Sequence, residues 1–128
     1  MVHRKVLVVS SDPVLRGLLQ QNLTEAGYRL ANTRDWNGQL RATLDWERPD
    51  VILVDVMMPA MDGIEVSLRI RQLCQTPIIL LSAWGAGRDK VRRLDLAAED
   101  YLTEPFGIPE LIDQIEESLH RNAALVRA

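Results

Sequence analysis

Pro49-Asp50-Val51-Ile52-Leu53-Val54-Asp55-Val56-Met57-Met58-Pro59-Ala60-Met61-Asp62-Gly63 carries the densest structural signal in this chain. Val51 to Val54 are four consecutive aliphatic residues, three of them β-branched, entered from a Pro-Asp boundary and ended by a carboxylate. That pattern reads as a strand buried on both faces, with Asp55 at its mouth. Beyond it Pro59 stops the strand, and Asp62-Gly63 makes a turn in which glycine takes a positive φ without steric cost. A buried strand that delivers an acid to a loop looks like a site.

Upstream, Lys5-Val6-Leu7-Val8-Val9 is a second apolar run, followed by Ser10-Ser11-Asp12-Pro13. Asp12 fits an N-cap and Pro13 the first helical position, so a helix is expected to start there. Leu15, Leu18, Leu19, Leu23 and Ala26 form its apolar stripe, and Gly27 closes it. Tyr28 to Asn32 reads as a short strand. Asp35 caps a second helix whose Trp36, Leu40 and Leu44 share one face, with Trp46 off that stripe and Arg48-Pro49 ending it.

Downstream, Ile64, Val66, Leu68 and Ile70 alternate with other residues as a half-buried strand does. Two flanking strands can lie parallel only if a crossover of helical length joins them, so residues 64–73 are read as helix against their local pattern. Ile78-Ile79-Leu80-Leu81 is a strand ending at Ser82, and Gly85-Ala86-Gly87 opens a helix carrying Val91 and Leu94. Asp100 to Thr103 is the last strand, followed by Glu104-Pro105, an X-Pro step open to a cis bond. Ile108, Leu111, Ile112, Ile115 and Leu119 stripe the final helix, and residues 122–128 read as a fraying tail.

At 128 residues the chain is one domain, long enough to bury about two thirds of its unfolded surface without staples. Hydrophobic residues make 47% and charged residues 26%, and a net charge of -3 leaves no electrostatic footprint for nucleic acid. Cys74 stands alone and forms no internal disulfide, and there is neither a leader pattern nor an apolar run of membrane-spanning length. The expected location is the cytoplasm. Five strand-helix units make a doubly wound parallel sheet, which places ligands beyond the carboxyl ends of its strands. Those ends present Ser10, Ser11 and Asp12, then Asp55, then Ser82, then Thr103 and Glu104. A nucleotide or flavin site is set aside, because Ser10-Ser11-Asp12-Pro13 contains no glycine to let a backbone approach a pyrophosphate.

These residues resemble the receiver domain of bacterial two-component response regulators, over residues 4–121. The resemblance rests on Val6-Leu7-Val8-Val9, Pro49-Asp50 with Asp55, Met57-Met58-Pro59 with Asp62-Gly63, Pro77-Ile78-Ile79 with Ser82-Ala83, and Asp100-Tyr101-Leu102-Thr103 with Pro105-Phe106. It implies a flavodoxin-like sheet of five strands in the order 2-1-3-4-5 with five helices. It also implies that Asp55 is the phosphoacceptor position, served by a histidine kinase and Mg²⁺, and that Ser82 and Tyr101 are the hydroxyl and aromatic switch pair coupling the pocket to the last two helices.

The departures from the family pattern fall inside the pocket. Ser10 and Ser11 replace the two acids that hold Mg²⁺, and Glu104 replaces the lysine that pairs with the phosphoryl group. Two unit charges about 4 Å apart at an effective dielectric near 20 interact by about 4 kcal/mol, so exchanging that attraction for a like charge disfavours a phosphorylated Asp55. Asp55 and Glu104 nevertheless carry the same net charge as the family's three carboxylates and one lysine. Asp55, Glu104 and the backbone carbonyl of Met57 are therefore a candidate weak site for a divalent cation such as Mg²⁺. Asp12 is a poor substitute ligand because its side chain is expected in the helix cap.

Residues 88–106 most resemble receivers that precede a winged-helix DNA-binding output domain and dimerise through their last strand and last two helices. The acidic residues of that face persist as Asp95, Glu99 and Asp100, but the last helix presents Gln114, Glu116 and Glu117 where basic residues are common. Like charges facing each other work against the dimer, and a monomer is expected. Trp84, after Ser82-Ala83, is either a lid over the pocket or a partner contact. The combined expectation is not an enzyme but an atypical pseudo-receiver, an interaction module read by signalling partners. The alternative is a working phosphoacceptor with a rearranged metal site.

Overall fold

The computed structural model describes residues 4–33, 40–55, 63–82, 100–103 and 107–127, with backbone alone for 33, 63, 64, 82, 100–103 and 122–127. Five strands, β1 (Lys5–Val9), β2 (Arg29–Thr33), β3 (Val51–Asp55), β4 (Ile78–Ser82) and β5 (Asp100–Thr103), form one sheet in the order β2-β1-β3-β4-β5. Every pairing is parallel. Four helices are described: α1 (Pro13–Glu25), α2 (Leu40–Glu47), α3 (Gly63–Leu73) and α4 (Ile108–Arg127). The helix expected from Gly85 onward, the Asp35 cap, Trp36 and the Glu104-Pro105 step lie outside the described residues.

Alternation along the strands sorts the core into two layers. Leu7, Val9, Ile52, Val54, Ile78 and Leu80 pack on α2 and α3 through Leu40, Leu44, Val66 and Ile70. Val6, Val8, Val51, Leu53, Ile79 and Leu81 point the other way, onto Leu15, Leu19 and Leu23 of α1 and Leu111, Ile115 and Leu119 of α4. A strand covered on both faces has no polar side to alternate with, which is why β3 reads as an unbroken apolar run. Burial at about 1.5–3 kcal/mol per aliphatic side chain fixes the strand register and with it the strand ends.

Two local expectations are corrected and one is upheld. Leu15, Leu19 and Leu23 of α1 are buried, but Leu18 is 49% exposed and Ala26 is exposed as well. Spacing of four residues advances only about 40° around a helix, so 15, 19 and 23 hold one line while 18 falls on its flank. In α3 the topological argument prevails over the alternating pattern: Val66, Ser67 and Ile70 are buried while Leu68 turns outward. Finally, residues 122–127 are not a frayed tail but the continuation of α4 to Arg127. Ala123, Ala124 and Leu125 are strong helix formers, and no glycine or proline interrupts them.

The helix ends set the direction of the strands after them. Asp12 caps α1 in an extended conformation (φ -83°, ψ 111°) with Pro13 behind it, and Gly27 takes φ 101° to reverse the chain into β2. Arg48 ends α2 with φ 47°, its amide still bonded to the Leu44 carbonyl at 2.9 Å, and hands the chain to Pro49 and β3.

Candidate functional site

The site is set by the step between β1 and β3. Val9 pairs with Val54, so the next residues along the two strands, Ser10 and Asp55, come out side by side at the carboxyl edge. Ser10 is only 1% exposed, and its Oγ donates to Asp55 Oδ2 at 3.0 Å. The same Oγ accepts the Asp12 amide at 3.1 Å. Asp55 itself is half-buried. The sequence marked Ser10 only as a lost acid. The missing signal was spatial, because two adjacent parallel strands that end in step bring their next residues within hydrogen-bond reach.

Asp12 is occupied as expected. Its Oδ1 accepts the Val14 amide at 2.9 Å and its carbonyl accepts the Arg16 amide at 3.0 Å, which closes the first turn of α1. The Ser11 hydroxyl is buried and has no hydrogen-bond partner among the described residues. Asp55 lies beside Leu81 of β4, and Ser82 beside Thr103 of β5, so four strand ends line one edge of the sheet. Ser82 ends β4 and Tyr101 lies in β5 opposite Leu80, while the side chains of this expected switch pair are outside the described part. Met57, Glu104 and Trp84 lie outside the described residues.

The donor set at the end of β1 does not fit a magnesium ion. Mg²⁺ is held through carboxylate oxygens and waters in a strict octahedron, and this edge offers two neutral hydroxyls. The Ser10 proton already points at Asp55 and the Asp12 carboxylate belongs to the cap. Among the described residues, no three His, Cys, Asp or Glu side chains gather as a metal site.

A second buried polar contact was not anticipated from sequence. Tyr28, just before β2, donates its hydroxyl to Glu116 Oε1 on α4, a contact between residues 88 apart in the chain. Burial, then the Glu116 hydrogen bond, then the Glu116 charge hold the Tyr28 phenol well above its ordinary pKa. Glu116 is therefore engaged by the connection between α1 and β2, a partner that the charge comparison along the last helix did not include.

The response regulator receiver domain model matches residues 6–116. Among solved structures, the chain is similar to a response regulator of Chloroflexus aurantiacus, at 27% identity and TM-score 0.81, covering 93% of this chain and 99% of that one. It is 31% identical to the receiver domain of Francisella response regulator 1452, with TM-score 0.78 and coverage of 94% and 99%. The receiver domain of a signal transduction histidine kinase from Syntrophus aciditrophicus also matches, at 31% identity and TM-score 0.78 over 91% of this chain and 90% of that one. With the parallel sheet in the order β2-β1-β3-β4-β5 and Asp55 at the end of its central strand, the chain belongs to the response regulator receiver domains of two-component signalling.

Proposed function

We propose that this domain is an atypical receiver, a pseudo-receiver that transmits signals as a protein-interaction module without depending on phosphorylation of Asp55. The observation that supports it is the Ser10 hydroxyl on Asp55 Oδ2. Where aspartyl phosphorylation needs a divalent cation between acidic groups, the end of β1 supplies a neutral donor. In this reading the domain is not an enzyme. Its partners are a histidine kinase or another signalling protein, with a DNA-binding output domain of the winged-helix kind acting elsewhere in the pathway or chain. The domain makes no direct contact with nucleic acid or membrane, acts as a monomer, and works in the cytoplasm. Among the described residues no helix is long and apolar enough to cross a membrane.

The alternative keeps Asp55 as a working phosphoacceptor, with Ser82 and Glu104 completing the pocket and Mg²⁺ held weakly by Asp55, Glu104 and the Met57 carbonyl. It draws on the half-buried position of Asp55, which leaves the carboxylate within reach of a donor. Intact mass and amide spectra with Mg²⁺ and beryllofluoride, against an Asp55→Asn control, separate the two. Beryllofluoride stands in for the phosphoryl group on the carboxylate and needs no cognate kinase. No adduct and no change around Ser82 and Tyr101 is the expected result. An adduct formed by the wild type alone overturns the pseudo-receiver reading.

A further inference from the structure

We propose that Ser10 is a positioning residue that holds the Asp55 carboxylate in the absence of a metal, so that the pocket keeps one geometry whether or not a divalent cation is present. This rests on the pseudo-receiver reading and specifies how its central position is kept still. Ser10 is 1% exposed, so its hydroxyl is satisfied by protein groups rather than by water. It accepts the Asp12 amide at 3.1 Å, which turns its proton toward Asp55 Oδ2 at 3.0 Å. The Asp12 amide is itself fixed, because Asp12 is tied into the first turn of α1 through the Val14 and Arg16 amides. The start of α1 is thereby connected to Asp55 through two hydrogen bonds.

The chemistry of the second bond sets the consequence. A hydroxyl donating to a carboxylate is a charge-assisted bond that needs nothing between its partners. A carboxylate in the same place sets lone pairs against lone pairs, and such a pair is held together by a cation. The buried Ser11 hydroxyl adds no charge either. Serine at position 10 thus removes the requirement for a metal and supplies the orientation that the metal would have given.

The test combines a double-mutant cycle with a spectroscopic readout. Ser10→Ala should move the Asp55 carboxyl carbon signal, and the cycle of Ser10→Ala with Asp55→Ala should give a coupling of about tenfold in the folding equilibrium constant. Ser10→Asp should make the amides of residues 10–12 and 55 respond to Mg²⁺ at a concentration that leaves the wild type unmoved. An unchanged Asp55 carbon signal in Ser10→Ala overturns the proposal, as does a coupling below about twofold. A wild-type Mg²⁺ response at Asp55 equal to that of Ser10→Asp overturns it too. The two readings fail separately. A beryllofluoride adduct with the coupling intact removes the pseudo-receiver function and keeps the positioning role, whereas lost coupling without an adduct does the reverse.

Discussion

The two edges of the sheet treat their carboxylates differently. At the amino edge, Asp50 Oδ2 accepts the Lys5 amide at 2.8 Å, the Asp50 amide donates to the Lys5 carbonyl at 2.8 Å, and Arg4 stands 3.7 Å from Asp50 Oδ1. Lys5 Nζ also meets Glu47 Oε1 at 3.1 Å, and the Arg29 amide donates to the Arg4 carbonyl at 2.9 Å. At the carboxyl edge Asp55 takes a hydrogen bond from a neutral hydroxyl. The amino edge uses its charges to stitch strands and helices together, and its carboxylates are consumed in that task. At the carboxyl edge Ser10 brings no charge, so position rather than charge pairing is what it supplies to Asp55.

The division can be broken first at Asp50. Asp50→Ala leaves the Lys5 amide without its acceptor and removes the Arg4 partner, and it should cost about 1–3 kcal/mol in denaturant unfolding. The Asp55 carboxyl carbon signal should not move. If it shifts as far as in Ser10→Ala, the two edges are one network and the contrast fails.

Tyr28→Phe comes next, at about 1 kcal/mol for the lost hydroxyl bond to Glu116. Its signature is in alkali. The folded pKa of Tyr28 lies above its unfolded value of 10.0. The contribution is therefore fully present below pH 10, and is lost as pH rises through the raised folded value, because only the unfolded chain gives up the proton. The stability of the wild type should fall more steeply than that of Tyr28→Phe above about pH 10. Parallel alkaline slopes would show that the phenol is not held protonated by its burial and by Glu116.

Asp12→Ala probes the carboxyl edge without touching charge pairing. Loss of the cap on the Val14 amide should cost about 1 kcal/mol, within the usual range for N-caps. The Asp12 backbone amide survives the substitution, so the Ser10 hydroxyl keeps its donor and the Asp55 signal should stay near the wild-type position. A large displacement would mean that the Asp12 side chain, rather than its amide, orients the pocket.

The range of each interaction decided how much of the molecule was legible in the sequence. Strands β1, β3 and β4 were readable because burial on both faces writes itself into consecutive residues, as in Val51–Val54. The cap at Asp12 and the reversal at Gly27 were readable because they are satisfied within a few residues. Helix α3 was legible only through topology, since Ile64, Val66, Leu68 and Ile70 mimic a strand until Leu68 turns outward. The candidate site divided in the same way. Asp55 was found from its strand, but the Ser10 bond spans 45 residues and the Tyr28–Glu116 bond spans 88, and no local periodicity encodes a partner that distant. A residue-type substitution in a known pattern told us what had been lost at Ser10. Only the register of β1 against β3 told us what had been gained.

The smallest effect concerns the pair Lys5–Glu47. The two groups approach to 3.1 Å with their side chains 23% and 21% exposed, a geometry that favours attraction but leaves water and salt within reach. Exposed and half-exposed pairs contribute about 0.2–1 kcal/mol, and ions at roughly 0.15 M screen charges beyond about 8 Å. Glu47→Gln keeps the shape and an acceptor oxygen while removing the charge, so it should cost about 0.5 kcal/mol in dilute buffer and less in molar salt. Because the pair joins the end of α2 to the start of β1, its loss loosens the amino edge and leaves the opposite edge alone. Amide exchange should therefore quicken around Lys5 and Arg29 and stay constant at Ser10 and Asp55. A uniform acceleration along the whole of β1 would show that the strand transmits strain from one edge to the other, and that Asp55 depends on the ion pairs at the far end of its own sheet.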